Sequence, residues 1–419
     1  TTEIYTLSLH DALPIWFGPF PGAGERPNVG VEHRHMLYPI LNRWLGVPVP
    51  ADEYHNPRPQ DELTCLTPAV AAARRPKPVS ALALELARMR LQAARSQREG
   101  TGSEERAARL RTELQTRLGD IAPNRVAPAA VLSARDYGAF TLERLAIDAE
   151  PGIVLPVVLL KPKAAGNRIP VVLGFAQGGK ERFLSDRSAV LARLLQAGVA
   201  VCLPDLRGTG ETGGESRTPG SMTLATVELM LGDTMLGAQL KDARTVFAYL
   251  VRRPDLDAGR IALWGDSFAG TNPRDLVIDE SPGLQAGPQI QRQGEPLGTM
   301  IALLTALYEE SAVAAAVNGA LASYASALED RFCYLPLDAL VPGLLETGDI
   351  SDIAAAIAPR GLLLQNVVDG RNRPLNPEEV ESALGAARGG YRRETVRLIL
   401  KSEARTDDMA VWLIQQCRP

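Results

Sequence analysis

Histidine is the scarcest chemistry-bearing residue of this chain. Four occur in 419 residues, at positions 10, 33, 35 and 55, and none follows. Any site built later in the sequence therefore has no imidazole of its own to move a proton. Cysteine is also sparse: Cys65, Cys202, Cys333 and Cys417 lie far apart, which excludes a disulfide framework and the close pairs of a zinc site. Cys202 sits inside a strand-like run and reads as a buried thiol. No apolar run approaches the ~18 residues of a transmembrane helix. The formal charge is −4 and the isoelectric point near 5.8, so there is no basic footprint for nucleic acid or an anionic membrane, and neither is expected as a partner. No metal or cofactor is expected. No signal-peptide pattern is legible, and the sequence assigns no compartment.

What is present is ordinary globular material. Hydrophobic residues make up 45% and charged residues 22%, typical of a packed domain. The length suits two or three average domains, or one large α/β domain with appendages. Residues 1–15 do not join the pattern that follows and read as a leader foreign to the protein. Residues 16–50 read as the end of something: a Gly/Pro-rich loop from Pro19 to Gly30, then Glu32-His33-Arg34-His35, then a helix over Met36–Leu45 with Met36, Leu37, Ile40, Leu41, Trp44 and Leu45 at helical spacing. Residues 51–136 read as a Pro-rich linker followed by a helical hairpin. Its helices, Ser80–Glu99 and Ser103–Leu118, each start at a Ser cap and meet at Gly100-Thr101-Gly102.

From residue 137 to 419 the pattern becomes that of an α/β domain. Phe140–Ile147 and Ile153–Leu160, joined by Glu150-Pro151-Gly152, predict an antiparallel edge pair. Strands are then predicted at Ile169–Gly174, Val199–Pro204, Ile261–Trp264, Ala312–Val317, Leu362–Val367 and Val396–Leu400, with helices over Ser185–Ala197 and about Met235–Val251. Several of these strands are short, apolar and non-alternating, as strands covered on both faces are. The expected architecture is a mostly parallel sheet with antiparallel edge strands, helices on both faces and right-handed crossovers, preceded by a helical linker.

One stretch carries chemistry. Ile261–Trp264 runs into Gly265-Asp266-Ser267-Phe268-Ala269, a G-x-S-x-A turn in which a sharp bend lifts a serine hydroxyl above the end of a strand. Acyl transfer from such a turn needs a nucleophile, backbone N–H donors for the oxyanion, an acid and a base. Ser267 is the expected nucleophile and Phe268 N–H the expected first donor. The second donor is expected at Ala176 or Gln177, in Phe175-Ala176-Gln177-Gly178-Gly179-Lys180, although glycine loops of this kind also occur without chemistry. Asp369, after the Leu362–Val368 run, is the expected acid, with a plain Asp-Gly turn as its rival. The base station is Leu400-Lys401-Ser402-Glu403-Ala404, and it holds no histidine. Thr271-Asn272-Pro273 interrupts the place where a helix normally starts, and 274–295 reads as an insertion. In Asp205–Thr212 the two glycines make a tight loop that Arg207 is expected to hold.

Taken together, PDLRGTGET (204–212), ELMLGDTMLG (228–237), WGDSFAG (264–270), GALASYASALEDRF (319–332) and IAPRGLLLQNVVDGRNRPL (357–375) resemble the α/β-hydrolase superfamily, closest to its acetyl-xylan-esterase-like and dienelactone-hydrolase-like members. The resemblance covers most of 139–419. It implies a serine carboxylic ester hydrolase acting on small esters or acetylated carbohydrate, with an incomplete triad. The alternative is an inactive hydrolase-like domain with a structural or glycan-binding role. Such proteins are often built as two tandem domains. On that pattern residues 16–50 would be the end of an upstream hydrolase domain and His33 its orphaned histidine.

Overall fold

Alternation along the inner strands sets the architecture. Val171, Leu173 and Phe175 point into one buried cluster while Val172 and Ala176 point into another, and Ile261 and Leu263 divide from Ala262 and Trp264 in the same way. A strand with two apolar faces is stable only when helices cover both. The computed structural model describes residues 31–52, 58–163, 168–213, 220–275, 293–330, 332, 334–391 and 397–418. Its strands are β1 (Ala129–Asp136), β2 (Phe140–Glu150), β3 (Ile153–Pro162), β4 (Ile169–Ala176), β5 (Ala200–Pro204), β6 (Leu256–Asp266), β7 (Ala312–Asn318), β8 (Gly361–Gln365) and β9 (Leu398–Lys401). They form one sheet in the order β1-β2-β3-β5-β4-β6-β7-β8-β9. The pairs β1–β2, β2–β3 and β3–β5 are antiparallel and every pair from β5 to β9 is parallel. This is the expected mostly parallel sheet with antiparallel edge strands.

The helices used below are α1 (Val79–Ser96), α2 (Ser103–Leu118), α3 (Lys180–Asp186), α4 (Ser188–Gln196), α5 (Gly220–Leu231), α6 (Met235–Arg252), α7 (Leu297–Tyr308), α8 (Ile350–Ile357), α9 (Pro377–Leu384) and α10 (Thr406–Gln416). Residues of α3, α4 and α10 join the smaller buried cluster, and those of α1, α2 and α6 to α9 join the larger. The sheet order reverses between β4 and β6. From β4 the chain turns back through α3 and α4 to β5, whereas from β6 it goes on through α7 to β7. The two connections leave opposite faces, and a cavity lies above the carboxyl ends of β6, β7, β8 and β9, beside this reversal.

Four details differ from the sequence reading. The helix expected over Ser185–Ala197 is two helices broken at Arg187, whose backbone leaves helical geometry at φ −123°. The caps before α1 and α2 are Pro78 and Gly102, so Ser80 and Ser103 lie inside the helices. The edge is three strands deep, because β1, exposed along nearly its whole length, carries no apolar alternation to announce it. Finally, Glu32-His33-Arg34-His35 is not a loop: the backbone is helical over Val31–Leu45, so Val31, not Met36, opens the helix.

The chain divides into two compact units, Thr1–Pro76 and Lys77–Pro419. The helical pair α1–α2 belongs to the second. Leu91, Leu110, Leu114 and Leu118 are buried in the main core beneath the sheet, so the pair is part of the folded body that carries the strands. Residues 1–15, the Pro19–Gly30 loop, residues 53–57 of the Pro-rich stretch and the His33 side chain lie outside the described residues. Among the described residues, no helix is long and apolar enough to cross a membrane.

Candidate active site

Gly265 decides how the turn is built. A Cβ there would stand 2.4 Å from the carbonyl oxygen of Gly298 and 2.7 Å from Cα of Thr299, so only glycine lets the first turn of α7 lie against β6. Gly298 is the reciprocal contact, where a Cβ would stand 2.4 Å from Phe175 O and 2.7 Å from Asp266 O. The ends of β4 and β6 and the start of α7 are thus in backbone contact. Ser267 follows at the strand end, and its N–H donates to the Asn318 carbonyl at 2.9 Å. Gly319, at φ +76°, leaves room beside it, since a Cβ there would come 2.6 Å from Ser267 Cβ. The chain from Ser267 to Pro273 is irregular. Among the described residues the next helix after the serine starts at Leu297, and residues 276–292 of the expected insertion lie outside them.

Ser267 opens onto a cavity of about 600 Å³ lined among others by Phe268, Asn318, Asn366, Ser402 and Glu403. Beneath it runs a polar ladder across the sheet. Arg187 grips the fully buried Asp266 with two N–H groups, at 2.8 and 3.0 Å. Asn318 Nδ2 donates to Asp266 Oδ1 at 2.7 Å, and Asn318 Oδ1 accepts from Gln365 at 3.1 Å and from Asn366 at 2.7 Å. Asn366, held at φ +53°, closes the ladder on Ala404 with a bond in each direction. Burial pushes the Asp266 carboxyl up from its usual range, with Arg187 and Asn318 pulling the other way. The ladder ties β6, β7, β8 and the loop after β9 together at the level of Ser267.

Phe268 is fixed on both sides. Its ring meets the edge of Phe183 at 5.4 Å, and the guanidinium groups of Arg182 and Arg187 lie 5.1 and 4.5 Å from its centroid, a cation–π arrangement. Its N–H is already committed, donating to Glu295 Oε2 at 2.8 Å.

Ala176 ends β4 opposite Asp266 in the register, so the loop that follows stands beside the serine turn as expected. Gln177 extends its side chain to two partners: Nε2 donates to Asp338 at 2.6 Å, and Oε1 accepts from Leu297 N–H at 3.3 Å. The loop is braced by Asp205, which accepts the Lys180 N–H at 2.7 Å and pairs with the Lys180 ammonium. Arg207 holds its own loop, as anticipated, through Asp242 and Glu150.

Asp369 stands apart. Its carboxylate accepts the N–H groups of Arg371 and Arg373, each at 2.9 Å, and pairs with the Arg373 guanidinium at 2.7 Å. It lines a second cavity of about 470 Å³, with Arg88, Arg274, Ser323 and Asp349. Its neighbours Val368 and Asn372 line the Ser267 cavity, and Asp369 is not among that cavity's lining residues. The structure thus brings Ser267 and Phe268 into one cavity with Ala176 and Gln177 at the adjoining strand end, and places Asp369 in another. Sequence reasoning missed Glu295, Asn318, Asn366 and Arg187. Asn318-Gly319, directly after a predicted strand, was a legible signal for a strand-end polar group. Glu295 is the last residue of the expected insertion and gave none.

Sheet order, crossovers and a strand-end serine at the reversal point define an α/β-hydrolase fold. Residues 151–289 match the X-Pro dipeptidyl-peptidase (S15) family, a stretch shorter than half the chain. No curated protein matches the sequence. Among solved structures, the chain is similar to a candidate acetyl xylan esterase from Bacteroides fragilis NCTC 9343, at 16% identity and a TM-score of 0.53, covering 72% of this chain and 76% of that one. It is also similar to the methylesterase BT1017, at 18% identity and a TM-score of 0.50, covering 74% of this chain and 62% of that one. At these identities the likeness is one of fold.

Proposed function

We propose that this chain is a carboxylic-ester-hydrolase-type protein whose Ser267 site no longer performs acyl transfer, and that it acts through binding or structure. One observation carries the reading: the Phe268 N–H, the donor the fold aims at a developing oxyanion, is held by the Glu295 carboxylate. A donor so occupied cannot stabilise a tetrahedral intermediate, and an oxyanion donor is worth about 10²–10³ in rate. Two facts lie in the same direction. No histidine follows residue 55, and Asp369 spends its oxygens on its own turn and on Arg373. The Ser267 cavity, whose polar lining is amides, hydroxyls, the carboxylates of Asp186 and Glu403 and the Arg187 guanidinium, suits a hydroxyl-rich ligand such as an acetylated carbohydrate, the class of compound named for one of the structural neighbours. Fluorophosphonate labelling and p-nitrophenyl acetate turnover test the reading. Neither is expected to differ between the native chain and Ser267→Ala; a serine-dependent label or rate overturns it.

A second reading has one observation of its own. Glu403 lines the same cavity as Ser267, in the loop after β9 where a hydrolase carries its base. On this reading Ser267 attacks, Phe268 and the Ala176–Gln177 loop hold the oxyanion, and Glu403 replaces histidine in a slow esterase. General-base catalysis contributes about 10²–10⁴-fold, so a rate lost in both Ser267→Ala and Glu403→Gln selects it.

A further inference from the structure

Two residues of the expected oxyanion hole reach the same short segment, Phe268 through its N–H and Gln177 through its side chain. Phe268 N–H donates to the Glu295 side chain at 2.8 Å, and the Gln177 side chain accepts the Leu297 N–H at 3.3 Å. That segment is held on both sides. On one side Gly294 N–H donates to the Tyr334 carbonyl at 2.9 Å. On the other, Gly298 lies in backbone contact with Phe175, Ala176 and Asp266. Glu295 precedes the Pro296 cap of α7, so its charge also lies at the favourable end of that helix. The donor stands at the strand end, with Gly319 in close approach and the Phe268 ring clasped, and its occupant is a carboxylate of the same chain.

We infer that the Phe268 N–H is a carboxylate receptor filled in cis by Glu295, and that removing this side chain frees the N–H to bind small free carboxylates such as acetate. The inference rests on reading Phe268 as the oxyanion donor of the fold. A carboxylate is the ligand class because the resident group is one and because its bond to an N–H is charge-assisted. A neutral ester carbonyl would bond the same N–H more weakly and would not displace Glu295.

The test is nuclear magnetic resonance on the full chain with ¹⁵N-phenylalanine. Eight phenylalanines give a sparse spectrum in which Phe268→Leu identifies the signal. Both Glu295→Gln and Glu295→Ala are expected to move the Phe268 amide proton upfield, the alanine variant further. Sodium acetate is then expected to return that signal downfield, saturably and at millimolar concentration, in Glu295→Ala. The native chain is expected not to respond, and sodium chloride at equal ionic strength is expected to have no effect. A Phe268 signal unmoved by both substitutions overturns the inference. So does a variant with an otherwise native spectrum that ignores acetate, or that answers chloride equally. If Glu295→Ala does not fold, the Glu295→Gln shift decides. Serine-dependent ester turnover in the native chain would overturn the proposed function and leave this amide readout standing, so the two fail separately.

Discussion

Asp266 sits directly before the serine with no solvent exposure at all, and Arg187 meets it with two parallel bonds. A buried carboxylate survives only when it is paired and its lone pairs are filled; here Arg187 and Asn318 do both. Cutting Arg187 back leaves an uncompensated buried charge, which costs far more than the net worth of the pair. Arg187→Ala is therefore expected to lower unfolding stability by about 3–5 kcal/mol, read from urea denaturation. Arg187→Lys keeps the charge and loses the fork, and should fall between the two. The same guanidinium stacks on the Phe268 ring, so its loss also slackens the turn that carries the serine.

The α1–α2 pair shows how an element becomes part of a core. Both helices are rich in Ala, Leu, Arg and Glu, yet Leu110, Leu114 and Leu118 fall on one stripe and are buried with the sheet. Leu114→Ala is expected to cost about 2–5 kcal/mol; a loss below about 1 kcal/mol in urea unfolding would mean that the pair is an appendage. The docking of α7 on β6 works the other way, by the absence of side chains. In Gly265→Ala the new methyl meets backbone at 2.4 and 2.7 Å, and backbone cannot step aside. Overpacking of this kind costs typically ~1–3 kcal/mol, and the variant should also disturb the Glu295–Phe268 contact, visible in the Phe268 amide signal.

Across the unit Lys77–Pro419, ion pairs join elements distant in sequence. Asp255, just before β6, pairs with Arg253 at 2.5 Å and with Lys161 on β3 at 2.8 Å, while Glu143 on β2 completes the group through both cations. Burial pushes the Asp255 carboxyl up, but Arg253 and Lys161 outweigh it and hold the group well below the usual carboxylate range. A carboxyl depressed in the folded state contributes stability that is fully present above its unfolded pKa of about 3.9 and is lost as pH falls through the folded value. Thermal melts from pH 5 to pH 2 should accordingly fall less steeply for Asp255→Asn than for the native chain, with the two curves converging at the acid end. Parallel curves would show that the pairing contributes nothing measurable.

The serine turn and the strand pattern were legible from the residues alone. Ile261–Trp264 against Gly265, and the non-alternating runs at 169–174, 199–204 and 312–317, state a doubly covered sheet, because burial on two faces demands apolar residues at consecutive positions. The missing imidazole was legible too, being a matter of composition. Where Glu295 and Asp369 point was not. A carboxylate's partner depends on which N–H groups the folded chain leaves within about 3 Å; for Asp369 the Asp-Gly turn was a local rival that the sequence could name but not choose, and for Glu295 the local sequence encodes nothing of that distance. Asp369 turned to its own loop because Arg371 and Arg373 offered donors two and four residues away. Glu295 came to Phe268 across 27 residues because two glycines let α7 sink against the ends of β4 and β6. Periodicity records burial, a local average that sequence retains. Contact between two polar atoms is set by packing of backbones far apart in the chain, and only the folded sheet decided it.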